Sequence, residues 1–96
     1  MAKMNPVRPL QEFYYTYVLQ SQQTEQWYTG ATADLRSRFA QHQEGLVRST
    51  QHDASFRLVY YEACRSREAA FRRERYLKSG MGKRYLRGRL KGGLTG

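Results

Sequence analysis

The chain is short of the residues that staple a fold together or carry it through a membrane. It holds one cysteine, Cys64, which excludes an internal disulfide and reads as a small core residue at a strand end. No apolar run approaches the ~20 residues that a membrane-spanning helix needs, and the chain is expected to be soluble and cytoplasmic. Paired short spacings of Cys and His are missing too, which argues against zinc held by His42, His52 and Cys64. Both prolines fall within residues 1–12, a stretch without periodicity that reads as a loose arm. With 96 residues the chain makes one small domain with a single core, and any site on it must be shallow.

Acidic residues are scarce in one third only. Residues 1–64 carry six Lys or Arg against six Asp or Glu, whereas residues 65–96 carry eleven against Glu68 and Glu74, so the whole excess of +9 sits in the last third. A polycation of this kind favours a polyanion, because each phosphate it neutralises releases condensed counterions. An anionic membrane surface fits less well, since the basic stretches lack a broad apolar face with Trp or Phe.

What is there is aromatic and periodic. "FYYTYVLQS", residues 13–21, reads as a strand; "QQTEQ" is a polar turn and "WYTGAT" the returning strand. A helix is expected from Asp34 to about Gln43, with Gly45 just past its end. After the polar loop "LVRSTQHDAS", "FRLVYYEAC" reads as a third strand. Ser66 then caps a helix over "REAAFRRERYLKS", Gly80 reads as its stop, and "MGKRYLRGRL" forms a short last helix before a fraying "KGGLTG". The order β-β-α-β-α-α predicts an α/β (α+β) sandwich around a small three-stranded sheet.

Two helices put charge where apolar residues belong. At about 100° per residue, Leu35, Arg38, Phe39 and His42 share an arc of roughly 100°. Arg38 could snorkel and His42 be a satisfied boundary residue, or both could line a site. In the next helix Glu74 falls on the stripe of Ala70 and Leu77, where a carboxylate must be paired, with a neighbouring arginine for instance, or hold a cation. Tyr15 and Tyr17 share one strand face; Tyr28 and Gly30 share a face on the partner, and Gly30 leaves room for a backbone or substrate to approach. Ser49 and Thr50 could touch phosphate, although turn residues explain them equally well. Gly80, Gly82 and Lys83 lack the spacing and preceding strand of a phosphate loop.

Taken in order, "YTY" at 15–17, "YTG" at 28–30, "LRSRFAQH" and "RRERYLKSG" resemble the small single-domain branch of the GIY-YIG nuclease superfamily, with the likeness running over residues 13–90. The resemblance implies a nuclease domain over residues 13–91, between the arm and a frayed tail at 92–96. It implies catalytic roles for Tyr17, Tyr28, Arg38, His42 and Glu74, with Glu74 the metal ligand. The first motif here lacks its glycine and isoleucine but keeps the terminal tyrosine. The late asparagine of some members has no counterpart, because Asn5 is the single asparagine.

The activity implied is metal-dependent hydrolysis of phosphodiester bonds in DNA, of use in DNA repair, with RNA as a further possible substrate. One carboxylate suits Mg²⁺, which keeps waters and takes phosphate oxygens; Mn²⁺ could substitute. Arg38 would donate to the scissile phosphate, Tyr17 act as base and Tyr28 orient it or the water, and His42 hydrogen-bond a phenol or relay the proton. Gly30, Arg72, Arg73, Lys78, Lys83, Arg84 and Arg87 are the expected nucleic-acid contacts. No reader of base edges stands out, so selectivity would be structural, weak, or supplied by a protein partner. A nucleic-acid-binding module of the same fold without turnover is the alternative.

Overall fold

The computed structural model describes residues 12–53 and 55–95. Of the expected arm only Glu12 falls among these residues, and it pairs with Arg65. Three strands, β1 (Tyr14–Ser21), β2 (Trp27–Thr32) and β3 (Phe56–Cys64), form one antiparallel sheet in the order β2-β1-β3. Helix α1 (Leu35–Gln43) follows the hairpin, a 3₁₀ turn (Arg48–Thr50) leads into β3, and α2 (Arg67–Lys78) and α3 (Gly80–Thr95) close the chain. No helix among the described residues is long and apolar enough to cross a membrane.

The central strand is apolar on both sides and is therefore covered on both. Tyr17 and Leu19 pack with Phe56, Leu58 and Tyr28, and with Leu35 and Phe39 of α1. Val18 packs on the other face with Leu77 of α2 and Leu86 of α3, joined by Trp27, Val59 and Tyr60. Leu19, Leu77 and Leu86 are completely buried, each contributing roughly 1.5–3 kcal/mol. Thr16 shares the Val18 face, and its hydroxyl donates to the Ala70 carbonyl at 2.8 Å, tying β1 to α2 without an orphaned polar group.

A bulge makes this two-faced packing possible. Val18 pairs with Tyr60 and Leu19 with Leu58, so Val59 is the extra residue in β3. It resets the alternation: Phe56 and Leu58 join the face of Tyr17, while Val59 and Tyr60 both face α2 and α3.

Local chemistry sets the helix ends. The Asp34 carboxylate accepts from the Ser37 amide at 3.1 Å and the Ser66 hydroxyl from the Ala69 amide at 3.1 Å. Helix α1 stops at Gly45, whose φ of +75° lets Leu46 and Gly45 return hydrogen bonds to the Gln41 and His42 carbonyls. Gly80 is not the stop that the sequence suggested. The break falls at Ser79, in extended conformation, whose hydroxyl donates to the Tyr76 carbonyl and accepts from the Gly82 amide; Gly80 opens α3, which continues to Thr95.

Candidate active site

A cleft of about 500 Å³ opens along β2, the strand at the sheet edge. Tyr17, Tyr28, Arg38 and His42 line it from the hairpin and α1, and Glu74 lines it from α2. These five residues, singled out in sequence for their inward placement or their spacing, share one space. Lys78 and Lys83 form the basic side of the cleft where α2 gives way to α3.

Gly30 explains how a tyrosine on the central strand reaches the edge. Tyr17 and Gly30 are cross-strand partners, and the Tyr17 ring lies over the glycine, so that a Cβ there would come within 2.6 Å of the phenol Cζ. The close approach anticipated at Gly30 is thus made by Tyr17, although the glycine also lines the cleft.

The Tyr17 hydroxyl is 2.8 Å from His42 Nε2, and His42 Nδ1 is 2.8 Å from the Thr50 hydroxyl. Tyr17 and His42 are 2% and 4% exposed, and Thr50 is fully buried. Burial raises the Tyr17 pKa above its ordinary value; a hydrogen bond and charge from Arg38 offset part of the rise, and the Glu74 charge adds to it. Burial and then the Arg38 charge lower His42 to about 4. At neutral pH the site therefore holds a neutral phenol against a neutral imidazole. Arg38 is steadied by a 2.9 Å hydrogen bond to Gln41 Oε1.

Tyr28 has a histidine of its own. Its hydroxyl lies 3.4 Å from Nε2 of His52, a residue the sequence brought forward only as a weak zinc candidate. Thr50 and His52 both belong to the polar segment before β3, whose register no periodicity reveals. Ser49 lines the cleft, whereas Thr50 turns inward to His42.

Glu74 pairs with Lys78 at 2.9 Å, one turn along its own helix, and not with an arginine; the two side chains are 19% and 55% exposed. Among the described residues no three His, Cys, Asp or Glu side chains gather to hold a metal. A single recessed carboxylate facing a cleft fits Mg²⁺, whose remaining positions go to water and phosphate, and does not fit zinc.

Arg73, one of the expected nucleic-acid contacts, is engaged within the fold. Its guanidinium pairs with Glu62 of β3 at 2.9 Å and lies 5.2 and 5.0 Å from the ring centroids of Tyr76 and Tyr85. Tyr60 donates to the same carboxylate at 2.7 Å, and burial with hydrogen bonds to Tyr85 and Glu62 pushes its pKa far up. The network clamps β3 to α2 and α3 at the opposite sheet edge from the cleft. Arg72, Arg84 and Arg87 are exposed and do not line the cleft.

No curated protein matches the chain. A UPF0213 protein from Bacillus halodurans, solved by NMR in solution, is 35% identical, over 77% of this chain and 81% of that one, with a TM-score of 0.48. The profile of the GIY-YIG catalytic domain, a nuclease-type domain, matches residues 13–87. That span holds the whole sheet, α1, α2 and every residue of the cleft described above, and by it the chain belongs to the GIY-YIG family.

Proposed function

We propose that the protein is a metal-dependent endonuclease that hydrolyses phosphodiester bonds in DNA, acting in the cytoplasm with structural or weak sequence selectivity. The observation that carries the reading is the meeting of two phenols, a guanidinium, an imidazole and a carboxylate in one cleft with a lysine border. A binding surface alone has no need of that set.

A phosphate docks against Arg38, with Lys83 on the basic side. Tyr17 and Tyr28 hold the attacking water between them. Tyr17 takes a proton from the water as it passes its own to His42 Nε2, so a phenol held neutral by burial never has to exist as free phenolate. The phosphate offsets the Arg38 charge, which is one of the two causes of the low His42 pKa, and makes His42 a better acceptor once substrate is bound. Glu74 would hold Mg²⁺, or Mn²⁺ in its place, and such an ion would supply Lewis-acid stabilisation of charge at the phosphate and its leaving group. Arg72, Arg84 and Arg87 hold flanking phosphates, and a protein partner supplies any finer selectivity.

One observation favours the alternative of a binding module without turnover: the Glu74 carboxylate, which the metal needs, is already paired with Lys78. Glu74→Gln separates the two. The pair is a half-exposed helix pair worth roughly 0.3–0.5 kcal/mol, so the variant should melt within a few degrees of wild type. Wild type should cleave branched or linear duplex in Mg²⁺ or Mn²⁺; the variant should not, while binding DNA in chelator equally or more tightly. Wild-type protein inert on every substrate in both metals would leave the binding module standing.

A further inference from the structure

Five groups at the cleft wall form a row with one consistent direction of donation. At one end Arg38 can only donate, and its positive charge acts on the Tyr17 phenol. At the other end the Val47 carbonyl can only accept, and it receives the Thr50 hydroxyl at 3.5 Å. Between them Tyr17, His42 and Thr50 are linked at 2.8 Å and 2.8 Å. Each of these three has one proton to give while His42 is neutral.

The Val47 contact is long, so the weight falls on the buried phenol: donating to Nε2 is the one way its proton finds an acceptor in the row, and the proton between Thr50 and His42 is then on Nδ1. Nε2 is then bare, and Tyr17 donates to it. The reverse polarity would make Tyr17 accept from His42 with its own proton beside the Arg38 charge, leaving the hydroxyl proton of a residue that is 2% exposed without an acceptor in the row. We propose that Thr50 is a positioning residue that locks His42 in the Nδ1–H tautomer, so that the imidazole is preset to receive a proton from Tyr17. The row ends on a carbonyl, which cannot take a proton onward, so Thr50 orients the ring and does not conduct.

Burial and the Arg38 charge, which lower His42 to about 4, supply the neutral imidazole the argument requires. The catalytic consequence rests on the nuclease reading, but the tautomer does not, and the experiment keeps them apart. Long-range ¹⁵N–¹H correlation spectra of the substrate-free wild-type protein at pH 7 should show His42 as the Nδ1–H tautomer alone, with exposed His52 as an internal reference. Thr50→Val, which keeps the shape and removes the hydroxyl, should move His42 toward Nε2–H, and Thr50→Ser should restore the wild-type pattern.

In cleavage assays Thr50→Val should lower kcat by an amount approaching the roughly 10²–10⁴-fold that a positioned proton acceptor supplies, with KM nearly unchanged; Thr50→Ser should recover most of it. A wild-type spectrum showing Nε2–H overturns the proposal without any variant having to fold. So does a Thr50→Val protein that keeps Nδ1–H, or one that cleaves at undiminished kcat. Wild-type protein that shows the expected tautomer and cleaves nothing sinks the nuclease reading and leaves the lock in place.

Discussion

The same chemical pair occurs twice beside the cleft, with Tyr17, His42 and Tyr28 lining it and His52 outside the lining, and the two copies differ in their surroundings. Tyr17 meets His42, and Tyr28 meets His52, each as an edge-to-face contact, with ring centroids 5.7 and 6.3 Å apart. Phe56 stands beside both pairs, 5.6 Å from Tyr28 and 6.2 Å from His42. The first pair is buried, joined at 2.8 Å and continued into Thr50; the second is joined at 3.4 Å and its histidine is exposed. Burial turns one pair into a fixed element with a defined proton direction. Water competes for the other at every moment and leaves it adaptable. Phenol and imidazole side by side do not make a relay by themselves; exclusion of water does.

The largest effect should come from removing the two hydroxyls in turn. Tyr17→Phe keeps the ring that lies over Gly30 and deletes only the oxygen, so cleavage should fall by roughly 10²–10⁴-fold. The bare His42 Nε2 left behind should cost about 1–3 kcal/mol of stability. Tyr28→Phe should cost at least tenfold less in rate and leave the melting temperature almost unmoved. Single-turnover rates and thermal melts of both variants check this, and equal losses would erase the distinction between the pairs.

A second effect reads the burial of one histidine directly as pH dependence. His42 has a pKa of about 4 in the folded protein and about 6.5 when unfolded, so the unfolded chain takes up the proton first. Its contribution is fully present above pH 6.5 and is lost as pH falls toward 4, by about 3 kcal/mol in all. His42→Gln cannot titrate and should lose this part of the slope. The measurement is the difference in urea-unfolding free energy between pH 7 and pH 4.5 for wild type and variant, with the carboxylates common to both. Parallel slopes would mean that His42 is not held neutral.

Much of this was legible before any fold was known, and the reasons are physical. A period of 3.6 residues exposes a charged residue out of place, so Arg38, His42 and Glu74 were readable as facing inward. Strand alternation put Tyr15 with Tyr17 and Tyr28 with Gly30, whereas the register that sets Tyr17 opposite Gly30 came only with the fold. What could not be read depends on contacts between distant segments. Glu62 lies eleven residues before Arg73 in a different element, and no local pattern says that one carboxylate on β3 pairs with one arginine of the basic third. Thr50 and His52 sit in a loop whose side-chain directions follow from where β3 enters the sheet. The extra residue at Val59 is likewise invisible to a simple alternation rule, since it is a break in that rule. Gly80 was misread because Ser79 offers both a carbonyl-capping hydroxyl and an extended backbone, which together do the work usually given to a glycine.

The smallest expected effect is the one that sharpens the comparison most. His52→Gln keeps a polar group beside Tyr28 and removes the imidazole. The contact it replaces is 3.4 Å long, beyond the usual 2.7–3.2 Å range for a hydrogen bond involving nitrogen, and the ring it removes is exposed. Stability should therefore stay within about ±0.5 kcal/mol. Because water can replace His52 as a partner for Tyr28, kcat should change by no more than a few-fold. A loss comparable to that of Tyr17→Phe would show that exposure does not weaken the second pair, and that substrate, on binding, excludes water from it as the fold already excludes water from the first.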